Sequence, residues 1–199
     1  VSDVQYTSIK GTKHILNKNM KLVIDGNIAS GKTTQLNLLQ NNNFNVKREP
    51  IEKWPLSLYY SDPEKWGLFF QIIVLKSHSK TESGSCVYER FPGSGTDVFW
   101  PIMKKTQCED KVYQEVFKRY GWTPDVYIWI HTTPENCFEN LKNRQQSGDN
   151  SVTKDYLVSL DKQYKCMFDK LDCLKFEING DQSKEKVHDE ILKIINKYY

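Results

Sequence analysis

The chain of 199 residues sets 28 Lys and Arg against 25 Asp and Glu, and a net charge of +3 is too small to argue for a nucleic-acid or membrane partner. Its length fits one domain able to bury roughly 70% of its unfolded surface, and 38% hydrophobic residues suit a soluble globular protein. Five scattered cysteines (Cys86, Cys108, Cys137, Cys166, Cys173) never form C-x-x-C and the four histidines lack metal-ligand spacing, which favours free thiols in a reducing compartment over disulfides or a zinc site.

No apolar run approaches the roughly eighteen residues needed to cross a bilayer. The N-terminus has no apolar signal core, so the chain is read as cytoplasmic, although a start at Val1 leaves a removed leader open.

Residues 1–19 are polar and aperiodic and are expected to form a loose arm. Residues 20–25 (MKLVID) then read as a buried strand and 32–40 (KTTQLNLLQ) as a helix. Between them Gly26-Asn27-Ile28-Ala29-Ser30-Gly31-Lys32-Thr33 forms G-x-x-x-x-G-K-T. The glycines let the backbone turn tightly, so that successive N–H groups and a helix N-terminus surround a polyphosphate. Lys32 then reaches the outer phosphates and Thr33 offers its hydroxyl to Mg²⁺.

Further strands are expected at 44–49, 85–89, 125–131 and 173–178. Helical spacing of apolar residues marks 63–80, 153–171 and 183–197, and 97–120 holds another helix interrupted near Trp100-Pro101. At 134–146, Thr133 suits an N-cap and Pro134 the first helical position. Strands alternating with helices predict an α/β fold, a five-stranded parallel sheet covered by helices on both faces, in one domain spanning 1–199.

Ligands of such sheets collect beyond the carboxyl ends of the strands. Three polar groups fall there: the phosphate loop, Arg48-Glu49-Pro50 and Glu89-Arg90. Phosphoryl transfer needs charge neutralisation, alignment and a partner for the acceptor's proton. Lys32 and Mg²⁺ meet the first need. Glu49 can take a hydroxyl proton, Arg90 can clamp the transferring group, and Glu89 can help hold the metal with Thr33. Read alone, Glu49 would equally fit a strand-end surface acid.

From about residue 20 to residue 171 the chain resembles the deoxyribonucleoside kinases, which phosphorylate the 5′-hydroxyl of deoxynucleosides. GNIASGKTT at 26–34 is similar to that family's phosphate loop, and EPIEKW at 49–54 to its E-P-x-x-x-W signature. KWGLFFQ at 65–71 resembles the segment carrying its base-reading glutamine, ER at 89–90 the start of its E-R-S motif, and PDVYIWIHTTPE at 124–135 its P-D-x-x-I-Y-L-x-T-x-P-E strand.

The resemblance implies a phosphate-loop kinase fold with a lid, ATP as donor, Mg²⁺ as cofactor and a homodimer joined by helices, with 63–80 or 98–122 as candidate faces. It assigns Gly26, Asn27, Ile28, Ala29, Ser30, Gly31, Lys32, Thr33 and Thr34 to ATP, with Arg144 closing from the lid. Glu49 would be the base on the 5′-hydroxyl and Arg90 its catalytic companion. Trp54 would flank the nucleoside, Tyr60 would contact its 3′-hydroxyl, Gln71 would pair with the base edge and Phe99 would stack on it. Asp149 would stand near the 3′-hydroxyl. Trp54, Tyr60 and Phe99 also suit ordinary core positions, and Gln71, in an apolar run, could find a backbone partner instead.

The chain departs from the family at Phe91-Pro92-Gly93-Ser94-Gly95, where Ser usually follows Glu-Arg, and in a lid with Gln145 and Gln146 in place of basic residues. Where cytosine- and purine-preferring members pair an arginine with an aspartate, His78 and Gly95 stand here, which leaves room for a pyrimidine methyl group and favours thymidine, with deoxycytidine also accepted. A thymidylate kinase shares the loop but phosphorylates an acceptor that is already charged. A GTPase-like switch would need N-K-x-D, which is absent. A catalytically dead scaffold sits badly with the full Lys32, Thr33, Glu49, Glu89 and Arg90 set.

Overall fold

In the computed structural model of the chain, residues 19–144 and 149–199 are described. The expected arm, up to residue 18, and Gln145 and Gln146 of the lid lie outside them. Five strands, β1 (Lys21–Asp25), β2 (Val46–Lys47), β3 (Cys86–Glu89), β4 (Val126–His131) and β5 (Leu174–Asn179), form one sheet in the order β2-β3-β1-β4-β5. Every neighbouring pair is parallel, with Leu22 level with Val87 on one side and Val126 on the other.

Alternation along the strands sends side chains to two cores. Leu22 and Ile24 pack with Val126, Ile128 and Ile130 beneath α1 (Lys32–Asn41) and α7 (Lys184–Tyr198). Val23, Tyr127 and Trp129 face the opposite way, with Leu160, Tyr164 and Met167 of α6 (Lys154–Lys170). Helices therefore cover both faces, as the alternating pattern required.

Most helices begin where their side chains say they should. Asp62 accepts from Lys65 N at 3.1 Å to start α3 (Pro63–His78), with Pro63 in the first turn. Thr106 and Glu109 form a reciprocal capping box on α4 (Gln107–Tyr120). Thr133 Oγ1 accepts from Asn136 N at 3.4 Å at the head of α5 (Pro134–Arg144). Thr153 and Ser183 cap α6 and α7 in the same way.

Three segments differ from expectation. A short α2 (Leu56–Ser61) precedes α3, too brief to show helical periodicity. The strand expected over 44–49 is only Val46–Lys47. Pro50 has no N–H to offer a ladder, and Glu49 N turns instead toward Glu89 Oε2 at 3.4 Å. The helix expected over 97–120 divides into a π-helical turn at Ser94–Phe99, a 3₁₀ turn at Trp100–Ile102 and α4. Pro101 forces that break.

Strand order places the site. β1 leads toward β3 and β2 on one side, and the chain then crosses back to β4 and β5 on the other. The crevice between the ends of β1 and β3 is the switch point at which open α/β sheets bind ligands.

Candidate active site

The phosphate loop occupies that crevice. Gly31 adopts φ +92° and Gly26 φ +152°, and a Cβ on Gly26 would run into Ile130 O, so neither position admits a side chain readily. The loop is anchored from outside: Asn27 Nδ2 donates to Leu157 O at 2.9 Å, Thr132 Oγ1 to Ser30 O at 3.1 Å and Asn140 Nδ2 to Ala29 O at 3.0 Å. With carbonyls held outward, the amides of Lys32, Thr33 and Thr34 precede the first helical bond, Gln35 N to Gly31 O at 3.2 Å. They are the donors of an anion site.

Lys32 folds back over this loop, donating Nζ to Asn27 O at 2.6 Å and Gly26 O at 3.0 Å. Burial, with the Arg90 guanidinium nearby, pushes its pKa down to about 8. Such a cation is poorly compensated by neutral carbonyls and gains from a polyanion.

Two carboxylates close the other side. Glu49 is buried, its Oε2 bonded by Arg90 Nη1, and His78 Nε2 stands 3.4 Å from its Oε1. Burial would raise its pKa, but Arg90 and then His78 hold it down to about 2. Glu89 carries the opposite shift: burial and the Glu49 charge push it up. Thr33 Oγ1 donates to Glu89 Oε1 at 3.4 Å, which joins the start of α1 to the end of β3. Arg90 takes φ +60° and donates Nη2 to Gly26 O at 3.2 Å, tying the carboxylate side to the phosphate loop. Burial disfavours its charge, yet Glu49, Tyr164 and Asp25 push its pKa well up.

Trp54 lines the next stretch, with its ring edge-on to His78 at 5.8 Å and Phe70 at 6.1 Å and its Nε1 on Ser77 Oγ. Gln71 is 4% exposed and its Oε1 has no hydrogen-bond partner among the described residues, nor has His78 Nδ1. Tyr60 is 38% exposed, its hydroxyl pKa raised by burial and by Asp149. Asp149 is itself held by Arg144, Nε to Oδ2 at 3.0 Å and Nη2 to Oδ1 at 2.6 Å. The Phe99 ring lies 5.1 Å from the Arg90 guanidinium and edge-on to Tyr164.

Lys32, Thr33, Glu49, Glu89 and Arg90 thus come together from three strand ends, with Trp54 and His78 beside them. Sequence reading passed over Asp25, Ser94 and Tyr164, which bond one another beneath Arg90. Tyr164 lies within 153–171, where helical spacing accounts for it as one apolar position. An aspartate ending an otherwise apolar strand was the available signal.

Against known proteins, a family model described as deoxynucleoside kinase matches residues 22–198. The chain belongs to the deoxynucleoside kinase family. A fowlpox virus protein named "Probable deoxycytidine kinase" is 28% identical over 191 residues, covering 84% of this chain and 81% of its own. Human mitochondrial thymidine kinase 2 is 28% identical over 164 residues, 72% of this chain and 62% of that protein. A deoxyadenosine kinase from M. mycoides with bound dCTP superimposes with a TM-score of 0.80 over 89% of this chain and 100% of its own, at 20% identity, and so supports the fold. This kinase is therefore a phosphotransferase that binds a nucleoside and a nucleoside triphosphate. No helix among the described residues is long and apolar enough to cross a membrane.

Proposed function

We propose that this kinase transfers the γ-phosphate of ATP to the 5′-hydroxyl of thymidine or deoxycytidine, a reaction of nucleotide salvage. The observation that carries this reading is the buried Glu49 carboxylate, held ionised by Arg90 a short distance from Lys32 and the phosphate loop. An ionised acceptor is what an uncharged sugar alcohol needs for orientation. A pKa of about 2 makes Glu49 a weak base. A loose phosphoryl-transfer transition state asks for little proton removal before the hydroxyl oxygen bonds to phosphorus. Arg90 and Lys32 then meet the charge on the transferring group, and Arg144 adds to it from the lid.

Thr33 Oγ1 and Glu89 Oε1 are hard oxygen donors in contact, with Glu89 Oε2 steadied by the Glu49 backbone N–H, a pair that fits Mg²⁺ sharing its shell with phosphates and water. When bound, the ion would neutralise phosphate charge. Gln71, buried with a free acceptor, suits the edge of a base, between Trp54 and Phe99. Gly95 brings no side chain against Gln71, where a Cβ would stand 3.6 Å from its Oε1, which leaves room for the 5-methyl group of a pyrimidine. Tyr60 and Asp149 would meet the sugar 3′-hydroxyl.

A phosphate-transfer assay with ATP against the four deoxynucleosides and thymidine monophosphate tests the reading. Turnover of thymidine or deoxycytidine is expected. Turnover of the monophosphate alone would replace it with a thymidylate kinase.

Two further features go with this proposal. Phe69 of α3 and Val112 of α4, 49% and 43% exposed, supply an apolar face for a homodimer, checked by sedimentation. Five unpaired cysteines suit a reducing, cytoplasmic setting, checked by cell fractionation.

A further inference from the structure

Asp25 is fully buried at the end of β1. Its Oδ1 accepts from Gly26 N at 2.7 Å and Tyr164 Oη at 3.0 Å, and lies 3.3 Å from Arg90 Nε; its Oδ2 accepts from Ser94 Oγ at 2.5 Å. Tyr164, also buried, accepts from Arg90 Nε at 3.1 Å while donating to Asp25. One carboxylate thus joins the first amide of the phosphate loop, the arginine after β3, the π-helical turn and α6.

We propose that Asp25, acting through Tyr164, is the positioning residue that aims the Arg90 guanidinium at the 5′-hydroxyl site. The inference rests on the reading of Arg90 and Glu49 given above. Packing alone does not call for this arrangement, because a buried carboxylate and guanidinium each lose solvation that their attraction only partly restores. Arg90 also sits in the left-handed region, a conformation that persists where surrounding contacts over-determine it and that gathers at functional sites. The contacts divide the guanidinium by edge. Nε is held by Tyr164 and Asp25, Nη2 by Gly26 O, and Nη1 is left toward Glu49. Two edges are fixed by α6, the end of β1 and the phosphate loop, so the third points one way. Because Asp25 also holds Gly26 N, arginine and phosphate loop keep a constant relation.

The test measures kcat and both KM values for Tyr164→Phe and Asp25→Asn, each in the native background and with Arg90→Ala, alongside thermal melting. Hydrogen bonds to a charged group and small misplacements of catalytic groups carry large rate effects. We expect kcat to fall about tenfold for Tyr164→Phe and about a hundredfold for Asp25→Asn, with both KM values within about threefold. In the Arg90→Ala background neither change should lower kcat by more than about twofold. Losses that multiply with Arg90→Ala, or a lowered melting temperature with unchanged kcat, would overturn the positioning role. Full turnover of Arg90→Ala alone would instead overturn the reading of Arg90, and the inference with it. Tyr164→Phe, which keeps the ring, carries the test should Asp25→Asn fail to fold.

Discussion

Arg144 grips Asp149 with two hydrogen bonds, so the lid arginine assigned to the triphosphate and the acid assigned to the sugar hold each other. The Arg144 side chain is 39% exposed and that of Asp149 only 9%, so the pair is held from the Asp149 side and screened by solvent at the arginine. A triphosphate, with more charge than one carboxylate, can compete for the exposed arginine. Arg144→Ala should lower the melting temperature modestly, because the mostly buried Asp149 loses the arginine charge, while lowering kcat/KM for the triphosphate by about ten- to a hundredfold. Steady-state kinetics at varied triphosphate decide it, and an unchanged kcat/KM would remove Arg144 from the phosphate site.

Glu49→Gln keeps the shape and removes the charge. Turnover should fall by about a hundredfold or more, with triphosphate affinity near native, because Lys32 and the loop amides are untouched. The same change leaves Arg90 buried with one fewer anion, so the melting temperature should also drop. Calorimetric binding of the triphosphate beside the rate assay separates these effects. Native turnover in the variant would end the proposed role of Glu49.

The sheet was legible in the chain because each strand is a short apolar run closed by a polar break, and helical periodicity filled the gaps. The phosphate loop and the acids at strand ends followed from spacing alone. What escaped was set by tertiary contact. β2 stops early because Pro50 and Glu49 turn toward Glu89, and α2 is too short for periodicity. Asp25, Ser94 and Tyr164 lie far apart in sequence and reveal their purpose only when α6 packs over the end of β1. The Arg144–Asp149 contact is likewise invisible in the sequence, because the resemblance assigns each residue to a different ligand.

His131 gives a prediction about pH. It stacks on Trp129 at 4.4 Å and lies between Asp161 and Glu177, whose carboxylates push its pKa above 6.5. A folded-state value above the unfolded one means that the protonated form favours the fold. This contribution is complete below pH 6.5 and is lost as pH climbs through the raised value. The ring is about a third exposed, so solvent screening holds the effect below about 1 kcal/mol. Urea unfolding at pH 6 and at pH 8.5 should show a small loss that disappears in His131→Gln. An equal loss in the variant would assign it to another group.

Gly95 offers the sharpest probe of the nucleoside side. A Cβ there would stand 3.2 Å from Tyr113 Oη and 3.6 Å from Gln71 Oε1, closer to the tyrosine than ordinary contact. Tyr113 is buried, stacks on Trp100 at 4.3 Å and contacts Thr96 Oγ1, so it has little room to retreat. Strain from Gly95→Ala must pass into the turn carrying Phe99 or into the Gln71 amide, the two groups proposed above to meet the base. We expect the nucleoside KM to rise by about tenfold, as a site built to hydrogen-bond a base loses its alignment, with the triphosphate KM unchanged. Gln71→Leu, which removes the amide, should cost more and lose discrimination among the bases. If Gly95→Ala and Gln71→Leu both leave the nucleoside KM as it was, the base lies elsewhere.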